Sequence, residues 1–226
     1  MSDFPTAQLT NAIGEARSRS EFDAGLCTAL EYFDQLNAAT IAQTGVHLAC
    51  RAGCSLCCSL RVDVFAHEVF LIAHHIRTHF SDAEIAGLME RLNIHAAKVL
   101  PLTPFEHATQ NIVCPLLRDG RCSIYAVRPQ SCRRHHSADF AACQFCYDHP
   151  TDLDFPGAHD AVVFKTLTEA MQQGIDAYTS LGFDHTIYEL GTALAEALLA
   201  PERWERWRER ERAFVTASVT ESAPEG

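Results

Sequence analysis

Residues 50–58, Cys50-Arg51-Ala52-Gly53-Cys54-Ser55-Leu56-Cys57-Cys58, decide how the chain is interpreted. Thiolates separated by two or three residues can turn onto one metal ion with little strain, and a glycine allows the tight backbone that such a turn needs. Cys50, Cys54 and Cys57 therefore predict a metal-binding loop. Adjacent cysteines tend to point in different directions, so Cys58 ranks below Cys57 as a ligand.

A second cysteine-bearing region extends from residue 114 to residue 146. It contains Cys114-Pro-Leu-Leu, Gly-Arg-Cys122, Arg-Pro-Gln-Ser-Cys132-Arg and Cys143-Gln-Phe-Cys146. The last pair has the spacing of a zinc knuckle or of a redox dithiol. The candidate metal ligands are Cys50, Cys54, Cys57, Cys58, Cys114, Cys122, Cys132, Cys143 and Cys146. Their number exceeds the four thiolates that a closed tetrahedral ion needs. The chain could therefore bind two metal ions, bind a cluster plus a structural ion, or contain thiols that bind no metal.

The composition narrows the class of protein. The chain has 226 residues, 47% of them hydrophobic, and a formal net charge of -11, which disfavours nucleic acid and anionic membrane surfaces as partners. Apolar stretches such as Ala193 to Ala200 are too short to span a bilayer, and Met1 to Thr10 lack the pattern of a secretory signal. We therefore expect a cytoplasmic protein, in which clustered thiols serve as metal ligands or redox groups rather than as disulfides.

Hydrophobic periodicity predicts a mostly helical fold in which two irregular cysteine-rich loops hold metal. Apolar residues recur at helical spacing in 22–40 and 65–80, and Ser81 to Glu84 has the pattern of a capping box that begins a helix through about Val99. Cys27 belongs to the first of these helices and is interpreted as a small buried hydrophobe. Further helices are expected at 160–178 and 186–200 and from Pro201 onwards.

These elements predict four segments. Residues 1–45 form an N-terminal helical segment, and 46–150 form the cysteine-cluster domain with two intervening helices. Residues 151–215 form helices that pack on it, and 216–226 a flexible tail. The last helix carries Trp204 and Trp207 among arginines and glutamates. It is predicted to be a surface helix with i, i+4 salt bridges and docked tryptophans, with a protein-binding helix as the alternative.

The combined cysteine motifs resemble the YkgJ-type cysteine-cluster family, a zinc- or iron-chelating domain named for a CxxCxxCC motif. The resemblance covers roughly Cys50 to Cys146, and it departs from the motif in the three-residue gap between Cys50 and Cys54. Cys143 and Cys146 match only by approximate position. Similar domains occur in the flagellin lysine methylase group, where an iron-sulfur cluster is implicated, so the resemblance implies metal binding without specifying a reaction.

The nature of the centre stays open at the level of sequence. A structural zinc needs only four thiolates, whereas the excess of thiols favours an iron-sulfur cluster. The positive charges of Arg128 and Arg133 would offset the negative charge of such a cluster. A metal-dependent enzyme, catalysing group transfer such as protein methylation or a redox reaction, would need an open coordination position near His135 or Tyr125. A thiol redox protein would use the Cys143 and Cys146 pair.

One enzyme class with similar spacing is disfavoured. Cys50, Cys54 and Cys57 also have the spacing of radical S-adenosylmethionine enzymes, but such enzymes need a strand-rich partial barrel after the motif. A helix is predicted at 65–80 instead. His135 and His136 follow Cys132 and are either mixed ligands or exposed polar residues. His74, His75 and His79 are interpreted as a solvated helix face, since no acidic partner lies nearby in sequence.

Overall fold

The computed structural model describes residues 6–220. Its longest helix shows how local sequence signals determine where a helix begins and ends. Helix α2 (Arg19–Thr44) begins after Ser18, whose side chain accepts the Glu21 N–H at 3.2 Å. It ends at Gly45, which has a φ of 69° that favours glycine. Helix α1 (Thr6–Gly14) packs against α2, and both contact α8 (Ala161–Ser180).

The remaining elements complete a mostly helical fold, as predicted. The other helices are α3 (Ala66–His79), α4 (Asp82–Val99), α5 (Pro104–Ala108), α6 (Gln130–Arg134), α7 (Phe140–Asp148), α9 (Leu190–Leu199) and α10 (Arg203–Arg208). Two 3₁₀ helices cover Leu56–Ser59 and Tyr125–Val127. The strands are β1 (Asp63–Val64), β2 (Leu117–Arg118), β3 (Arg121–Cys122) and β4 (Tyr188–Glu189). Strands β1 and β4 pair antiparallel, and β2 and β3 form a hairpin.

Helix α3 is the central support of the cysteine segment. The predicted stripe of Val69, Ile72 and Ile76 is fully buried, and α9 packs on α3 and α4. The predicted capping box of α4 is present, with Ser81 accepting the Glu84 N–H and Glu84 accepting the Ser81 N–H. These local patterns fix the helices that surround the cysteines.

The C-terminal helix docks on the body as predicted. The Trp207 side chain is fully buried and its indole N–H donates to the Tyr178 hydroxyl at 3.1 Å. The prediction of i, i+4 salt bridges is wrong for this helix. The Arg206 Nε atom instead lies 2.5 Å from a carboxylate oxygen of Glu211, five residues away. Arg203 pairs with Glu196 of α9 at 3.0 Å, so a tertiary contact replaces a pair within the helix.

Several predicted boundaries differ from the structure. The helix expected from Thr186 begins only at Leu190, because 188–189 pair with β1 as strand β4. The cysteine region after residue 114 is less irregular than expected, since it holds a hairpin and two helices. Thr216 donates its N–H to Glu196 at 2.8 Å and Val219 bridges Tyr188, while residues 221–226 of the predicted tail lie outside the described residues.

Two further sequence expectations concern single features. Cys27 packs against the core, as expected, although its side chain is half-buried rather than buried. His74 does have an acidic partner, Asp23 of α2, which the sequence neighbourhood of His74 did not reveal. Among residues 6–220, no helix has the length and apolar character needed to cross a bilayer.

Replacing Glu189 with glutamine should destabilise the fold in a pH-dependent way. This buried carboxylate accepts N–H groups of Gly191 and Thr192 at 2.9 and 2.7 Å and lies 3.0 Å from the Nε2 atom of His95. Burial raises its pKa, but the His95 contact and the N–H bonds outweigh burial and lower the pKa from 4.5 to about 2. The carboxylate therefore stabilises the protein fully above pH 4.5 and loses that effect as the pH falls towards 2.

We expect Glu189→Gln to reduce the free energy of unfolding at neutral pH by on the order of 2 kcal/mol and to flatten its acid dependence. Urea denaturation between neutral pH and pH 3 measures both effects. Glu90→Gln, which changes an exposed glutamate on α4, is the control. Parallel pH profiles for the wild type and Glu189→Gln would contradict the expectation.

Candidate metal centre

The first cysteine loop is built around two tight turns. Gly53 has a φ of 85°, and the Cys54 N–H donates to the Arg51 carbonyl at 3.0 Å. The Cys58 N–H then donates to the Ser55 carbonyl at 3.0 Å as the 3₁₀ helix begins. The loop thereby brings Cys57 to the surface while Cys58 stays half-buried.

The adjacent residues Cys57 and Cys58 affect each other's thiols. Hydrogen bonding with Cys58, followed by partial burial and by the charge of Cys58, raises the pKa of Cys57 far above its usual range. A metal bound at Cys57 would therefore lie close to a second sulfur.

The second cysteine region is joined to the first by a backbone hydrogen bond. The Cys114 N–H donates to the Cys58 carbonyl at 2.7 Å. The chain then forms the β2–β3 hairpin, whose turn residues Asp119 and Gly120 both have positive φ, and Leu117 pairs with Cys122. This hairpin returns Cys122 towards Cys114.

A buried carboxylate, that of Glu68, holds the start of helix α6, which carries Cys132. Glu68 of α3 accepts the Gln130 N–H at 2.9 Å and the Phe65 N–H at 3.1 Å, so it ties the start of α6 to the start of α3. Burial raises the pKa of Glu68, although the two N–H groups act to lower it. Sequence reasoning missed this residue, because its partner lies 62 positions away.

Four thiols influence one another and form what we call the inner thiol cluster: Cys57, Cys114, Cys122 and Cys132. Burial, with a smaller contribution from Cys122, raises the pKa of Cys114 to about 12. Burial also raises the pKa of Cys132, as do Cys114, Cys122 and Cys57 in turn. Burial and Cys57 raise the pKa of the Cys122 thiol. Thiolates in such a cluster repel one another, and a bound cation would relieve that repulsion.

The other candidate ligands lie at the outer side of this cluster. Burial raises the pKa of Cys50, and the nearby thiols of Cys57, Cys143 and Cys54 raise it further. Cys143 and Cys146 lie on α7, which packs on the 3₁₀ helix that carries Cys57 and Cys58. Cys57 is thus the member of the inner thiol cluster that also acts on Cys50.

The two arginines that were expected to lie next to the metal centre, Arg128 and Arg133, have different roles. Arg128 acts to lower the pKa of Cys122 against the larger effect of burial, and its guanidinium stacks 3.8 Å from the centroid of the Tyr125 ring. Arg133 is buried, pairs with Asp34 of α2 and donates to the Arg128 and Ala126 carbonyls at 2.8 and 2.5 Å. Arg133 therefore holds the turn before Cys132 in place.

The histidines after Cys132 lie in the same part of the structure. His136 is buried, whereas His135 is half-buried and lies edge-on to His159, with ring centroids 5.4 Å apart. Burial, followed by His159, His136 and Arg134, lowers the pKa of His135 to about 4. His135 is therefore a neutral imidazole at neutral pH, which is the form that binds metal.

The donor set fits zinc or iron by its chemistry, since thiolates suit both. Within residues 6–220, however, no three Cys, His, Asp or Glu side chains already stand in a metal-binding arrangement. The structure thus shows neighbouring thiols rather than a closed coordination sphere, and metal binding requires side chains to rotate together.

A family comparison agrees with this chemistry. Residues 49–149 match the CxxCxxCC family, described as "putative zinc- or iron-chelating domain". The match covers less than half of the 226 residues, and it confirms the resemblance inferred from the cysteine motifs for this segment. No curated protein and no solved structure matches the chain.

Proposed function

We propose, from the match of residues 49–149 to the zinc- or iron-chelating CxxCxxCC family, that the chain holds a metal centre through the inner thiol cluster. The single observation that carries the proposal is the convergence of four thiols: the Cys114 N–H donates to the Cys58 carbonyl at 2.7 Å, the β2–β3 hairpin returns Cys122 towards Cys114, and Cys57, Cys114 and Cys122 all act on the Cys132 thiol. These residues come from three separate parts of the segment. Four thiolates satisfy either a tetrahedral zinc or an iron-sulfur cluster. In both cases the metal joins the first loop, the hairpin and α6.

The identity of the centre is tested by anaerobic purification with iron, zinc and acid-labile sulfide quantified per chain. A brown protein with iron and sulfide supports a cluster, and a colourless protein with stoichiometric zinc supports a zinc centre. Neither metal above background, even after reconstitution with each, would overturn the proposal.

Two other functions were raised by the sequence, and the structure bears on them unequally. A metal-dependent enzyme would use the same centre, and Cys57 is the exposed member of the inner thiol cluster. For a thiol redox protein, burial and Cys143 raise the pKa of Cys146, whereas reactive dithiols have a lowered thiol pKa. The metal-centre proposal therefore accounts for more of the observations than the redox proposal.

Metal binding should release protons, because thiols bind metal as thiolates and every resolved shift in this cluster raises the thiol pKa. At neutral pH we expect the release of about four protons per zinc bound and an affinity that weakens as the pH falls. Calorimetry in two buffers of different ionisation enthalpy counts these protons. A heat of binding that is independent of the buffer would contradict this prediction.

Glu68→Gln should weaken the centre without a ligand being changed. The NH2 group of the glutamine amide would face a backbone N–H in place of a carboxylate oxygen. Either the Phe65 or the Gln130 hydrogen bond would therefore be lost, and α6 would be held less firmly at Cys132. We expect metal affinity to fall by about 10-fold or more, as for other outer-shell partners. Competition with a chromophoric chelator measures the affinity.

Glu106→Gln is the matched control for this effect. Glu106 caps α5 in the same way, accepting the Thr103 N–H at 2.8 Å, but it is exposed and has no hydrogen bond to a cysteine-bearing segment among the described residues. Equal losses of affinity in both variants, or none in either, would show that Glu68 does not position Cys132.

A further inference from the structure

A surface cleft lies beside the inner thiol cluster, between α7, the end of α6 and the loop that precedes α8. Three histidines and three cysteines are among the residues that line it: His135, His136, His159, Cys57, Cys143 and Cys146. His159 lies outside the matched segment 49–149, so neither the family match nor the cysteine motifs point to it. Histidine and cysteine together are the side chains that zinc prefers.

His136 acts as the anchor of this cleft. Its Nδ1 atom lies 3.0 Å from the Arg134 carbonyl, and its Nε2 atom accepts the Asp160 N–H at 3.1 Å. The Ala138 N–H donates to the Ala158 carbonyl at 2.8 Å. These contacts hold the chain on both sides of His159 against the segment that follows His135.

The other two imidazoles have no polar partner in the part of the chain that the structure describes. Within residues 6–220, neither His135 nor His159 makes a hydrogen bond or an ion pair through its side chain, and their rings are in edge-on contact. The His159 ring also lies edge-on to His136 and Phe164, with ring centroids 5.5 and 5.3 Å apart. Both imidazoles line the cleft, His159 as an exposed and His135 as a half-buried side chain. Arg134, the nearest cation in sequence, is turned towards α8, where it stacks on Phe164 and donates to Thr168 at 2.9 Å.

The thiol pair on α7 supplies the complementary donors. Cys143 and Cys146 are three residues apart on one helix, which places both sulfurs on the same face. Both are half-buried, and the Cys143 thiol influences Cys146. Cys57 also lines the cleft, but it is counted with the inner thiol cluster because it acts on the Cys132 and Cys122 thiols.

We propose that Cys143, Cys146, His135 and His159 form a second metal site, which binds Zn²⁺ separately from the inner thiol cluster. Two thiolates and two imidazoles complete a neutral tetrahedral complex, the composition of many structural zinc sites. Binding would join α7, α6 and the loop before α8, because the four donors come from these elements. The second site explains the Cys143 and Cys146 pair, which four-thiolate coordination at the inner cluster leaves over.

Zinc titration of the full chain tests this proposal. The protein is purified anaerobically, stripped with a chelator, reduced, and titrated with Zn²⁺ or with Co²⁺ as a spectroscopic probe. We expect His135→Gln/His159→Gln and Cys143→Ser/Cys146→Ser each to bind one equivalent fewer than the wild type. His185→Gln, which changes an exposed histidine remote in sequence from the cleft, should bind as many as the wild type.

The outcomes separate the two sites. Cys114→Ser/Cys132→Ser should lose the inner equivalent and retain the one that depends on the histidines, with a Co²⁺ spectrum that changes when the histidines are replaced. A histidine variant with wild-type stoichiometry and affinity would overturn the second site, as would loss of metal only in the cysteine variant. If only the histidine-dependent equivalent is ever bound, the second site stands and the inner-cluster proposal fails.

Discussion

Replacing Cys114 and Cys132 together with serine should abolish binding at the inner thiol cluster and destabilise the whole cysteine segment. The two thiols are half-buried and influence each other, and they come from the start of the hairpin and from α6. Serine keeps the approximate size of the side chain but is a poor ligand for zinc or iron. The free energy of binding structural zinc, about 10–16 kcal/mol in small peptides, becomes folding energy when the site forms only in the folded chain.

Thermal unfolding with and without a chelator measures this effect. The wild type should lose stability when the chelator is added, and the double variant should unfold at lower temperature whether or not it is present. Cys27→Ser is the matched control, since Cys27 is a half-buried thiol that packs against the core outside the cluster. A double variant that keeps the wild-type metal content and unfolding temperature would contradict the assignment.

Trp207→Ala should be the most destabilising single change among the C-terminal residues. The indole is fully buried and stacks on Phe183 with ring centroids 4.5 Å apart, and Phe22 packs against its edge at 5.7 Å. Truncation also removes the hydrogen bond to the Tyr178 hydroxyl. Loss of a buried tryptophan side chain typically costs about 3–5 kcal/mol.

Urea denaturation compares this variant with Val215→Ala, whose side chain is half exposed at 51%. A partner-binding helix would instead predict an unchanged free energy of unfolding for Trp207→Ala. Truncation after Pro201 extends the comparison: docking predicts lost stability, whereas partner binding predicts an intact fold.

Features that depend on local chemistry could be predicted from the sequence. The stripe on α3 follows from helical periodicity, and the start of α4 follows from the Ser81 and Glu84 capping box. Burial of Trp207 was also expected, because its helix has nearly balanced charge and two large apolar side chains. In each case, residues within a few positions of one another determine the structure.

Contacts between distant segments could not be predicted in this way. Glu68 reaches Gln130 across 62 positions and Arg133 reaches Asp34 across 99, so no local pattern reveals either pair. Helix α7 did have a local signal, because the Asp139 side chain accepts the Ala141 N–H at 2.8 Å as an N-cap. The cysteines of α7 suggested a loop and obscured that signal.

The grouping of the cysteines is the part of the site that only the structure provides. Sequence spacing places Cys50, Cys54 and Cys57 together in one loop. The structure keeps Cys57 and Cys54 close enough to Cys50 to raise the pKa of its thiol, and it adds Cys143 to Cys50 and thiols of the second region to Cys57. Spacing shows which sulfurs are close along the chain, whereas folding decides which of them share a centre.

X-ray absorption at the edge of the bound metal tests the central claim most directly, because it identifies the atoms that coordinate the metal. The measurement uses the His135→Gln/His159→Gln variant, so that the second site does not contribute. A zinc centre in the inner thiol cluster predicts a first shell of about four sulfur atoms at about 2.3 Å. A cluster predicts sulfur with a neighbouring iron shell. A first shell dominated by nitrogen or oxygen at about 2.0–2.2 Å would contradict the account.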